Sequence, residues 1–394
     1  MPLSPSSKVA IVGGGISGII SALELERNGF SPVIFEKSDR LGGRLKTDFF
    51  EDIPLDHGFQ VLLTHYPELK RYLDFAALDL HYFRPAALVF ESASKHHEIG
   101  DAFRDRSLLL PTLKTDIASF SDKLKLLRQQ RRIGRLSVAQ IFESADRRPT
   151  KAVLQEKYSS RFIEQFFTPF YGGIFLDKNL GVSNTHFEFV FHMFANGFAA
   201  IPKRGIESVV TQLTSRLKST EIKFGVSMSV EDLQSDFDGV IKAHADTTDR
   251  QWFGTEVFYF ICPDTANPLL SKLSNTIGLF PHADSVNTIH ALRGSKSTLI
   301  SASVVGVSTG ASANLEQAVR SEITDRTGLA LGSLAGHYRI EKALPAFAQM
   351  RPHLVADTHE NGVFESGDHL LYPSLNAAMT SGREVVNQLV LQQQ

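Results

Sequence analysis

The sequence predicts an α/β fold, and three observations near its N-terminus support this prediction. A short and mostly apolar run, Lys8–Val12, reads as a buried strand. A glycine-rich turn follows, and residues 16–28 then show apolar positions at helical spacing, with Gly29 where the helix should end. A second apolar run, Ser31–Phe35, leads directly to the acid Glu36. Strand, helix and strand in this order predict a βαβ unit with parallel strands.

The turn after the first strand has the pattern G-x-G-x-x-G, formed by Gly13, Gly15 and Gly18. The first glycine permits a tight turn, the second leaves room for a pyrophosphate beside the backbone, and the third allows close helix packing. Free backbone N–H groups and the positive end of the helix dipole would face the anion. Glycine turns also occur for purely structural reasons, but the flanking strand and helix favour a dinucleotide site here.

The acid at the end of the second strand lies where such a site needs one. Glu36 comes 18 residues after Gly18. A carboxylate at this place can accept hydrogen bonds from both ribose hydroxyls. It would also repel a 2′-phosphate, so we do not expect NADP in this site.

A second glycine pair separates FAD from NAD. The stretch Leu41–Arg44 reads LGGR and comes directly after the loop that Glu36 opens. An enzyme that binds NAD alone has no need of it, whereas a second backbone bend and a cation could grip the pyrophosphate of a longer cofactor. The combination of GGGISG with EKSDRLGGR resembles the flavin amine oxidase superfamily, which includes amine oxidases, protoporphyrinogen oxidase and phytoene-desaturase-type enzymes.

The C-terminal region carries a second part of this resemblance. The segment Phe364–Leu389 looks like the family's C-terminal FAD signature, in which a Gly-Asp pair, here Gly367 and Asp368, ends a strand. A serine-containing turn then opens a helix, which Pro373–Arg383 matches. Three central stretches are similar but less specific: Thr168–Asp177, Ala199–Leu213 and Arg339–Phe347. The resemblance therefore spans nearly the whole chain.

The resemblance implies an α/β architecture of two domains. One is a Rossmann-type (GR2-like) FAD-binding domain assembled from discontinuous segments, and the other is an inserted α+β substrate domain. The expected FAD-binding segments are residues 1–75, 200–250 and 340–394, and the substrate domain would take residues 76–199 and 251–339. The active site would then lie at the domain interface, where ligand sites favour concave apolar surfaces.

Local patterns predict further elements along the chain. Residues 116–200 are mostly helical in pattern, and Gly205–Leu217 predicts another helix after a Pro-x-x-Gly turn. The runs Glu221–Val230 and Gly239–Ala243 alternate as strands do, and residues 312–327 show helical spacing again.

The resemblance implies that FAD binds without a covalent bond. The residues expected to contact it are Gly13, Gly15, Ile16, Ser17, Gly18, Glu36, Lys37, Gly42, Gly43, Arg44, Met228, Gly367, Asp368, Ser374, Leu375 and Ala378. Gly43 and Arg44 would hold the pyrophosphate, and Asp368 would meet the ribityl chain or the pyrophosphate. The helix that begins after Ser374 would direct its positive end at the flavin ring. Met228 stands where the family usually has a valine whose backbone contacts adenine.

Two residues are weak candidates for catalysis, and no catalytic residue is assigned. The run Pro54–Gln60 matches the family's Asp-x-Gly segment, which passes close to the flavin, so His57 could act there as an acid or a base. Alternatively, Asp56 and His57 only order a turn. Tyr171, within FYGG, could line the substrate cavity or could be a core tyrosine.

The reaction class follows from an aromatic position. Amine oxidases of this superfamily usually place paired aromatic residues around the amine, one of them shortly before the C-terminal Gly-Asp. This chain offers Phe364 there but no tryptophan or tyrosine, and its only tryptophan, Trp252, reads as a packing residue. We therefore expect dehydrogenation, as desaturation or oxidation, of a largely apolar small molecule by hydride transfer to flavin N5. The alternatives are an amine oxidase, an NAD-dependent dehydrogenase with one nucleotide site, and a non-catalytic binding protein similar to the Rab GDP-dissociation inhibitors.

Composition excludes several other functions. The formal net charge of −2 over 394 residues argues against nucleic-acid binding through a global basic field. The single cysteine, Cys262, cannot form an internal disulfide, lies far in sequence from both signatures, and reads as a buried apolar residue. The pair His96 and His97 suits a solvated hairpin better than a metal site, and no metal is expected. The 29 phenylalanines fit either a large aromatic core or a lipophilic tunnel.

Two observations bear on location. Residues 1–7 carry neither a charged run nor an apolar core, and no later run reaches the roughly 18 apolar residues of a spanning helix, so we expect a soluble, cytoplasmic protein. The segment Asp122–Leu136 has six basic residues and one acid. It reads as a solvated basic helix, with a weak peripheral contact to an anionic membrane as the functional alternative.

Overall fold

The computed structural model describes residues 7–58, 61–245, 251–308, 312–347, 350–355, 359–360 and 362–391. Residues 1–6, on which most of the expectation about a targeting segment rests, lie outside the described residues, as do Phe59 and Gln60 of the Asp-x-Gly segment.

The strands of the described residues are β1 (Val9–Val12), β2 (Val33–Glu36), β3 (Thr47–Phe50), β4 (Ile53–Asp56), β5 (Leu62–Leu63), β6 (Leu80–Tyr82), β7 (Ala86–Ser92), β8 (Lys95–Gly100), β9 (Ala199–Pro202), β10 (Glu221–Phe224), β11 (Gly239–Lys242), β12 (Trp252–Ile261), β13 (Ile277–Leu279), β14 (Val286–Arg293), β15 (Thr298–Val305), β16 (Leu334–Pro345), β17 (His359–Glu360) and β18 (Val363–Glu365). The helices are α1 (Ile16–Arg27), α2 (Pro67–Tyr72), α3 (Leu109–Lys114), α4 (Phe120–Gly134), α5 (Val138–Glu143), α6 (Thr150–Lys157), α7 (Ser160–Phe162), α8 (Thr168–Phe175), α9 (Asn184–Asn196), α10 (Glu207–Thr214), α11 (Val230–Leu233), α12 (Pro268–Leu273), α13 (Ser312–Thr327) and α14 (Leu375–Leu391). Short 3₁₀ turns span Arg106–Leu108 and Asp368–Leu370, and a π-helical turn spans Ile163–Phe167.

The first sheet has the strand order β10-β2-β1-β11-β18-β17, and its strands are parallel except for β17 at the edge. All four residues of β1 are buried, as expected for a central parallel strand that is covered on both faces. Because these strands are parallel, the turns that follow β1, β2 and β18 all lie at one edge of the sheet. The strands come from three distant parts of the chain, and the domain boundaries given above stay a prediction.

The first and last helices pack directly against each other. A Cβ on Gly382 of α14 would overlap the carbonyl oxygen of Ser17 in α1, so glycine is required for this close approach. The hydroxyl of Ser21 also donates to the carbonyl oxygen of Gly382 at 3.1 Å. Residues that are more than 350 positions apart in sequence are thus held in contact.

The second sheet has the order β16-β12-β15-β14-β13-β7-β8 and is antiparallel except between β13 and β7. Its inner face forms a separate hydrophobic cluster that contains Phe258, Phe260 and Cys262. Two small sheets, β3-β4 and β5-β9-β6, complete the strands. Helices α3 to α9 occupy residues 109–196, where the sequence predicts mostly helix.

One predicted strand is too long. The pattern Glu221–Val230 predicts a strand, but β10 ends at Phe224 and α11 begins at Val230. The hydroxyl of Ser229 caps α11 by accepting a hydrogen bond from Asp232 N at 3.2 Å. A capping serine therefore outweighs the apolar alternation at this place.

Within the described residues, no helix combines the length and the apolar character that crossing a membrane requires.

Candidate active site

Glu36 lies at the carboxyl end of β2 and accepts three hydrogen bonds from the protein. Its Oε2 accepts a hydrogen bond from Gly14 N at 2.7 Å. Its Oε1 accepts from Ser38 N at 2.9 Å and from the Ser38 hydroxyl at 2.7 Å. A carboxylate has about four acceptor sites, so three protein donors leave room for about one ribose hydroxyl rather than the two expected from the sequence.

These hydrogen bonds also set the charge of Glu36. Burial alone would raise the pKa of its carboxyl, but the hydrogen bonds from Ser38 and Gly14 outweigh burial and place the pKa below its ordinary value. Glu36 is therefore ionised at neutral pH, and its hydrogen bond from Gly14 N stabilises the glycine turn.

The two glycine segments meet backbone to backbone. Gly42 N donates to Gly14 O at 2.8 Å, and a Cβ on Gly43 would lie 3.2 Å from the Cα of Gly15. On its other side Gly15 faces open space, since a Cβ there would meet no atom within 4 Å. The first-turn N–H groups of α1 border this space, so the structure provides a cradle for an anion beside Gly15.

Arg44 joins the two ends of the chain. Its Nη2 donates to Asp368 Oδ1 at 2.6 Å, and its Nη1 donates to the carbonyl oxygen of Ala343 in β16 at 2.8 Å. The guanidinium carbon lies 5.9 Å from the ring centre of Trp252. Asp368 is buried, so this charge-assisted pair is shielded on one side from water. The structure thus brings together Gly43, Arg44 and Asp368, three residues expected at the cofactor.

The C-terminal segment is fixed by α14. Gly367 N donates to the buried hydroxyl of Ser381 in α14 at 2.9 Å. The hydroxyl of Ser374 caps α14 by accepting a hydrogen bond from Ala377 N at 3.0 Å. Leu375 begins the helix, and the side chain of Ala378 is buried in the core. Any contact of Ala378 with a cofactor would therefore come from its backbone.

An open cleft of about 420 Å³ adjoins Arg44, and we call it the Arg44 cleft. It is lined by Gly43, Arg44, Lys46, His57, Arg339, Ile340, Glu341 and Lys342. Four of these side chains are cations and one is an acid, so the cleft suits an anionic group such as a pyrophosphate. The sequence marks Arg339–Phe347 as similar to the family but assigns its residues no role.

His57 lies in this cleft and is held by two neighbours. Its Nε2 lies 2.9 Å from Asp48 Oδ2, and its ring stacks on that of Tyr338 with 4.0 Å between the ring centres. The hydrogen bond with His57 is the main cause that holds the pKa of Asp48 below its ordinary range. Burial and the nearby Asp48 raise the pKa of Tyr338. The role of His57 as an acid or base stays a prediction, but its position is fixed.

Asp56 is a half-buried acid with a structural role. Its Oδ1 accepts hydrogen bonds from the Thr47 hydroxyl at 2.6 Å and from Ile206 N at 2.9 Å. Burial raises the pKa of Asp56 to about 6, and the nearby Glu207 adds to this shift. The turn-ordering role considered for Asp56 agrees with these contacts. The sequence alone did not indicate this desolvation, because it depends on how the fold packs around the carboxyl.

Tyr171 lies in an aromatic cluster and is not among the residues that line the Arg44 cleft. Its ring centre lies 4.7 Å from that of Phe187, 5.0 Å from that of Phe170 and 6.0 Å from that of Phe167. Burial raises the pKa of its hydroxyl. These contacts favour the interpretation of Tyr171 as a core residue, and its role in a substrate cavity stays a prediction.

The remaining expected contacts lie around the glycine turn. Ile16 and Ser17 are buried in the first turn of α1, so they offer backbone N–H groups rather than side chains. Lys37 is exposed. Met228 is partly buried against the small hydrophobic cluster that contains Phe35. Their contacts with FAD stay predictions.

The described residues contain one group with the spacing of metal ligands. Atoms of Glu91, His97 and Asp116 lie within 4.8 Å of one another. The ammonium of Lys95 lies 2.6 Å from Glu91, and the guanidinium of Arg161 lies 3.2 Å from Asp116. Two cations therefore already balance the two carboxylates, and the group reads as a surface ion-pair cluster at the hairpin of β7 and β8.

Comparison with known proteins identifies the family. The family model described as flavin-containing amine oxidoreductase matches residues 16–249, more than half of the chain. The chain belongs to the flavin-containing amine oxidoreductase family. The family implies a flavin cofactor and an oxidoreductase activity. The open cradle beside Gly15, the cations of the Arg44 cleft and the ionised Glu36 fit such a cofactor.

Curated relatives match only a short part of this chain. The chain is 48% identical over 56 residues to 4,4'-diapolycopen-4-al dehydrogenase of Metabacillus indicus, which covers 14% of this chain and 11% of that protein. It is 47% identical over 55 residues to polyamine oxidase 5 of Oryza sativa subsp. japonica, with the same coverage of 14% and 11%. The chain thus matches only 11% of the length of each of these relatives.

Solved structures share the whole fold. The crystal structure of the CLA-producing fatty acid isomerase from P. acnes superposes with a TM-score of 0.70 and 13% identity, over 98% of this chain and 99% of that one. The family match and this likeness confirm the family and the α/β fold class that the sequence predicts.

Proposed function

We propose that this oxidoreductase binds one FAD per chain without a covalent bond and dehydrogenates a largely apolar small molecule. The observation that supports the site most strongly is the contact of Arg44 with Asp368 beside Gly43, because it joins the two FAD signatures at one cleft. When bound, the flavin accepts a hydride at N5 from a carbon of the substrate.

The chain's own groups have distinct parts in holding this cofactor. The cradle beside Gly15 takes the pyrophosphate on the first-turn N–H groups of α1. Glu36 uses its remaining acceptor site for a ribose hydroxyl. Arg44 approaches the same pyrophosphate with its planar guanidinium, and Asp368 keeps that guanidinium in place. The first turn of α14 would present the positive end of its dipole to the flavin ring and would stabilise negative charge there.

Two residues bear on covalent attachment. Cys262 is buried in the hydrophobic cluster of the second sheet, and burial raises the pKa of its thiol. Such a thiol is a poor nucleophile. His57 lines the Arg44 cleft but is hydrogen-bonded to Asp48 and stacked on Tyr338. We therefore propose that His57 acts as an acid or a base at the cleft and forms no covalent bond with the flavin.

The charge of the cleft favours a neutral substrate over an amine. Lys46, Arg339 and Lys342 line it in addition to Arg44, against the single acid Glu341. An amine carries a positive charge at neutral pH, so this lining would repel it. Phe364, the aromatic residue before the Gly-Asp pair, is buried in the core and offers no surface to an amine. One relative is named as a dehydrogenase and another as a polyamine oxidase, so both classes belong in the test.

Anaerobic reduction of the purified, flavin-loaded protein tests the substrate class. Apolar hydrocarbons and polyenes dispersed in detergent would be compared with polyamines, with the loss of the yellow flavin absorbance as the readout. We expect apolar compounds to bleach the flavin and amines to leave it oxidised. Bleaching by amines alone would make the protein an amine oxidase, and a protein that takes up no flavin would instead be a binding protein.

A further inference from the structure

An exposed apolar patch lies on the surface between Phe103 and Leu124, and the flavin site does not account for it. The described part of the chain has twelve large apolar side chains that are strongly exposed, and six of them lie in this stretch. They are Phe103, Leu109, Leu110, Leu113, Phe120 and Leu124, and they are between 37% and 76% exposed. We call these six residues the apolar patch.

The geometry of α3 keeps its leucines outside. No residue of α3 is buried. The helix is tied to β8 through Thr112, whose hydroxyl accepts a hydrogen bond from Gly100 N at 3.0 Å and donates to Gly100 O at 3.1 Å. The polar residue Thr112 thus contacts β8, while Leu109, Leu110 and Leu113 stay exposed.

The members of the patch lie around the same helix, α4. The ammonium of Lys123 in α4 donates to the carbonyl oxygens of Leu113 at 3.0 Å and Thr115 at 2.8 Å, so the end of α3 lies beside the first turn of α4. The guanidinium of Arg131, also in α4, lies 5.6 Å from the ring centre of Phe103. The apolar side chains therefore share one surface with the cations of α4.

The charge around the patch is strongly positive. Residues 103–136 contain nine Lys and Arg against three Asp, in a chain whose net charge is −2. All three acids already have protein partners. Asp122 is buried and bonded to Ser119 and Ser159, Asp105 bonds to Arg84, and Asp116 pairs with Arg161. The cations of α4 are mostly exposed, as Lys125, Arg128 and Arg131 are.

We propose that the apolar patch docks on an anionic phospholipid surface. Exposed leucine and phenylalanine side chains rimmed by Lys and Arg are the pattern of interfacial membrane contacts, in which the apolar groups enter the boundary of head groups and acyl chains while the cations meet the phosphates. The sequence alone placed the membrane contact on the basic segment 122–136. The basic segment 122–136 supplies most of the cations, but its apolar residues Leu126 and Ile133 pack against the core. Of the six patch residues only Leu124 belongs to this segment, and the other five lie upstream of it.

Vesicle co-sedimentation of the purified full-length protein tests this proposal. The vesicles would be phosphatidylcholine alone or phosphatidylcholine mixed with phosphatidylglycerol, at low and at high salt. We expect binding to the anionic vesicles at low salt, weaker binding at high salt, and little binding to the neutral vesicles. Equal binding to both vesicle types, or none to anionic vesicles at low salt, would overturn the proposal.

Variants separate the patch from the rest of the surface. The double variant Leu110→Ser with Phe120→Ser removes two of the most exposed side chains, and we expect it to reduce vesicle binding at least about tenfold while flavin content and Tm stay unchanged. The matched control Leu391→Ser alters an equally exposed leucine at the end of α14 and should bind as the unmodified protein does.

A charge pair of variants tests the cations. Lys125→Glu with Arg128→Glu should weaken binding and flatten its salt dependence, whereas Lys218→Glu with Lys296→Glu, on exposed residues outside the patch, should change it little. Unchanged vesicle binding in both patch variants would contradict the proposal. So would light scattering in which the serine variant loses self-association instead of vesicle binding, since the patch would then be an interface between copies of the chain.

Discussion

Glu36 combines two tasks at the scale of a single residue. It holds the glycine turn through Gly14 and its own loop through Ser38, and it keeps about one acceptor site for a ligand. Arg44 has a comparable double role, since it binds Asp368 and the carbonyl of Ala343 while it faces the cleft. Each of these two residues, which we propose to bind the cofactor, therefore also stabilises the fold, and a mutation of either one affects both properties.

Replacing Glu36 or Arg44 with alanine should weaken FAD binding. Each change removes charge-assisted hydrogen bonds worth about 1.5–3 kcal/mol, or roughly ten- to a hundredfold in affinity. Titration of FAD into the apo-variants measures this loss, and urea unfolding of the same proteins measures the effect on the fold. We expect Arg44→Ala to change the fold less than Glu36→Ala does, because Glu36 binds two backbone N–H groups.

The chain offers matched controls for both changes. Asp39→Ala and Arg147→Ala change exposed residues of the same charge and should leave FAD affinity intact. Wild-type affinity in the Glu36 and Arg44 variants would remove both residues from the site.

The desolvated carboxyl of the half-buried Asp56 predicts a pH dependence of stability. Its pKa in the folded protein is about 6, above the ordinary value of 3.8, so the folded state disfavours the ionised form. The stability that the protonated acid contributes is fully present below about pH 3.8 and is lost as the pH rises through about 6. The loss amounts to about 3 kcal/mol at most.

The variant Asp56→Asn isolates this effect. Both hydrogen bonds of Asp56 end on Oδ1, which asparagine retains. We expect the variant to gain stability relative to the unmodified protein as the pH rises from about 4 to about 8, measured by urea unfolding at both pH values. A stability difference that does not change with pH would show that Asp56 titrates normally.

At the scale of elements, the packing of α14 on α1 brings the two segments of the proposed cofactor site together. Sequence patterns predict both helices well, because glycine turns and caps are local signals. They do not predict the surroundings of His57, since its neighbours Asp48 and Tyr338 come from β3 and β16 and are brought together only by the fold. The sequence also did not predict that Arg339–Lys342 line the Arg44 cleft, because only the fold brings β16 next to Arg44.

Gly382→Ala tests the contact between these two helices. Alanine favours a helix over glycine by up to about 1 kcal/mol, but its Cβ would overlap the carbonyl oxygen of Ser17 and force the helices apart at a cost of about 1–3 kcal/mol. We expect a net loss in the free energy of unfolding and a weaker affinity for FAD.

The matched control is Gly134→Ala at the end of α4. A Cβ there would come no closer than 3.7 Å to any neighbour, so this change should be neutral or stabilising. If Gly382→Ala is as neutral or stabilising as Gly134→Ala, the close contact between α1 and α14 is not required for stability or for FAD binding.

At the scale of the whole molecule, a parallel sheet built from distant strands brings Gly13 and Gly367 to the same edge. The sequence predicts the family and the fold class because both signatures impose strict backbone geometry. Arg44 and Asp368 are 324 residues apart in sequence. Only the resemblance to the family predicted that both lie at the cofactor. The apolar patch was not predicted, because exposure depends on which faces the fold leaves uncovered.

Non-covalent FAD binding is tested most directly by the flavin content of the purified protein before and after acid precipitation. We predict one FAD per chain in the native protein, and all of the yellow colour in the supernatant after precipitation. Colour that stays with the precipitate would contradict non-covalent binding. A colourless protein that takes up no FAD on titration would contradict the central claim that the Arg44 cleft is a flavin site.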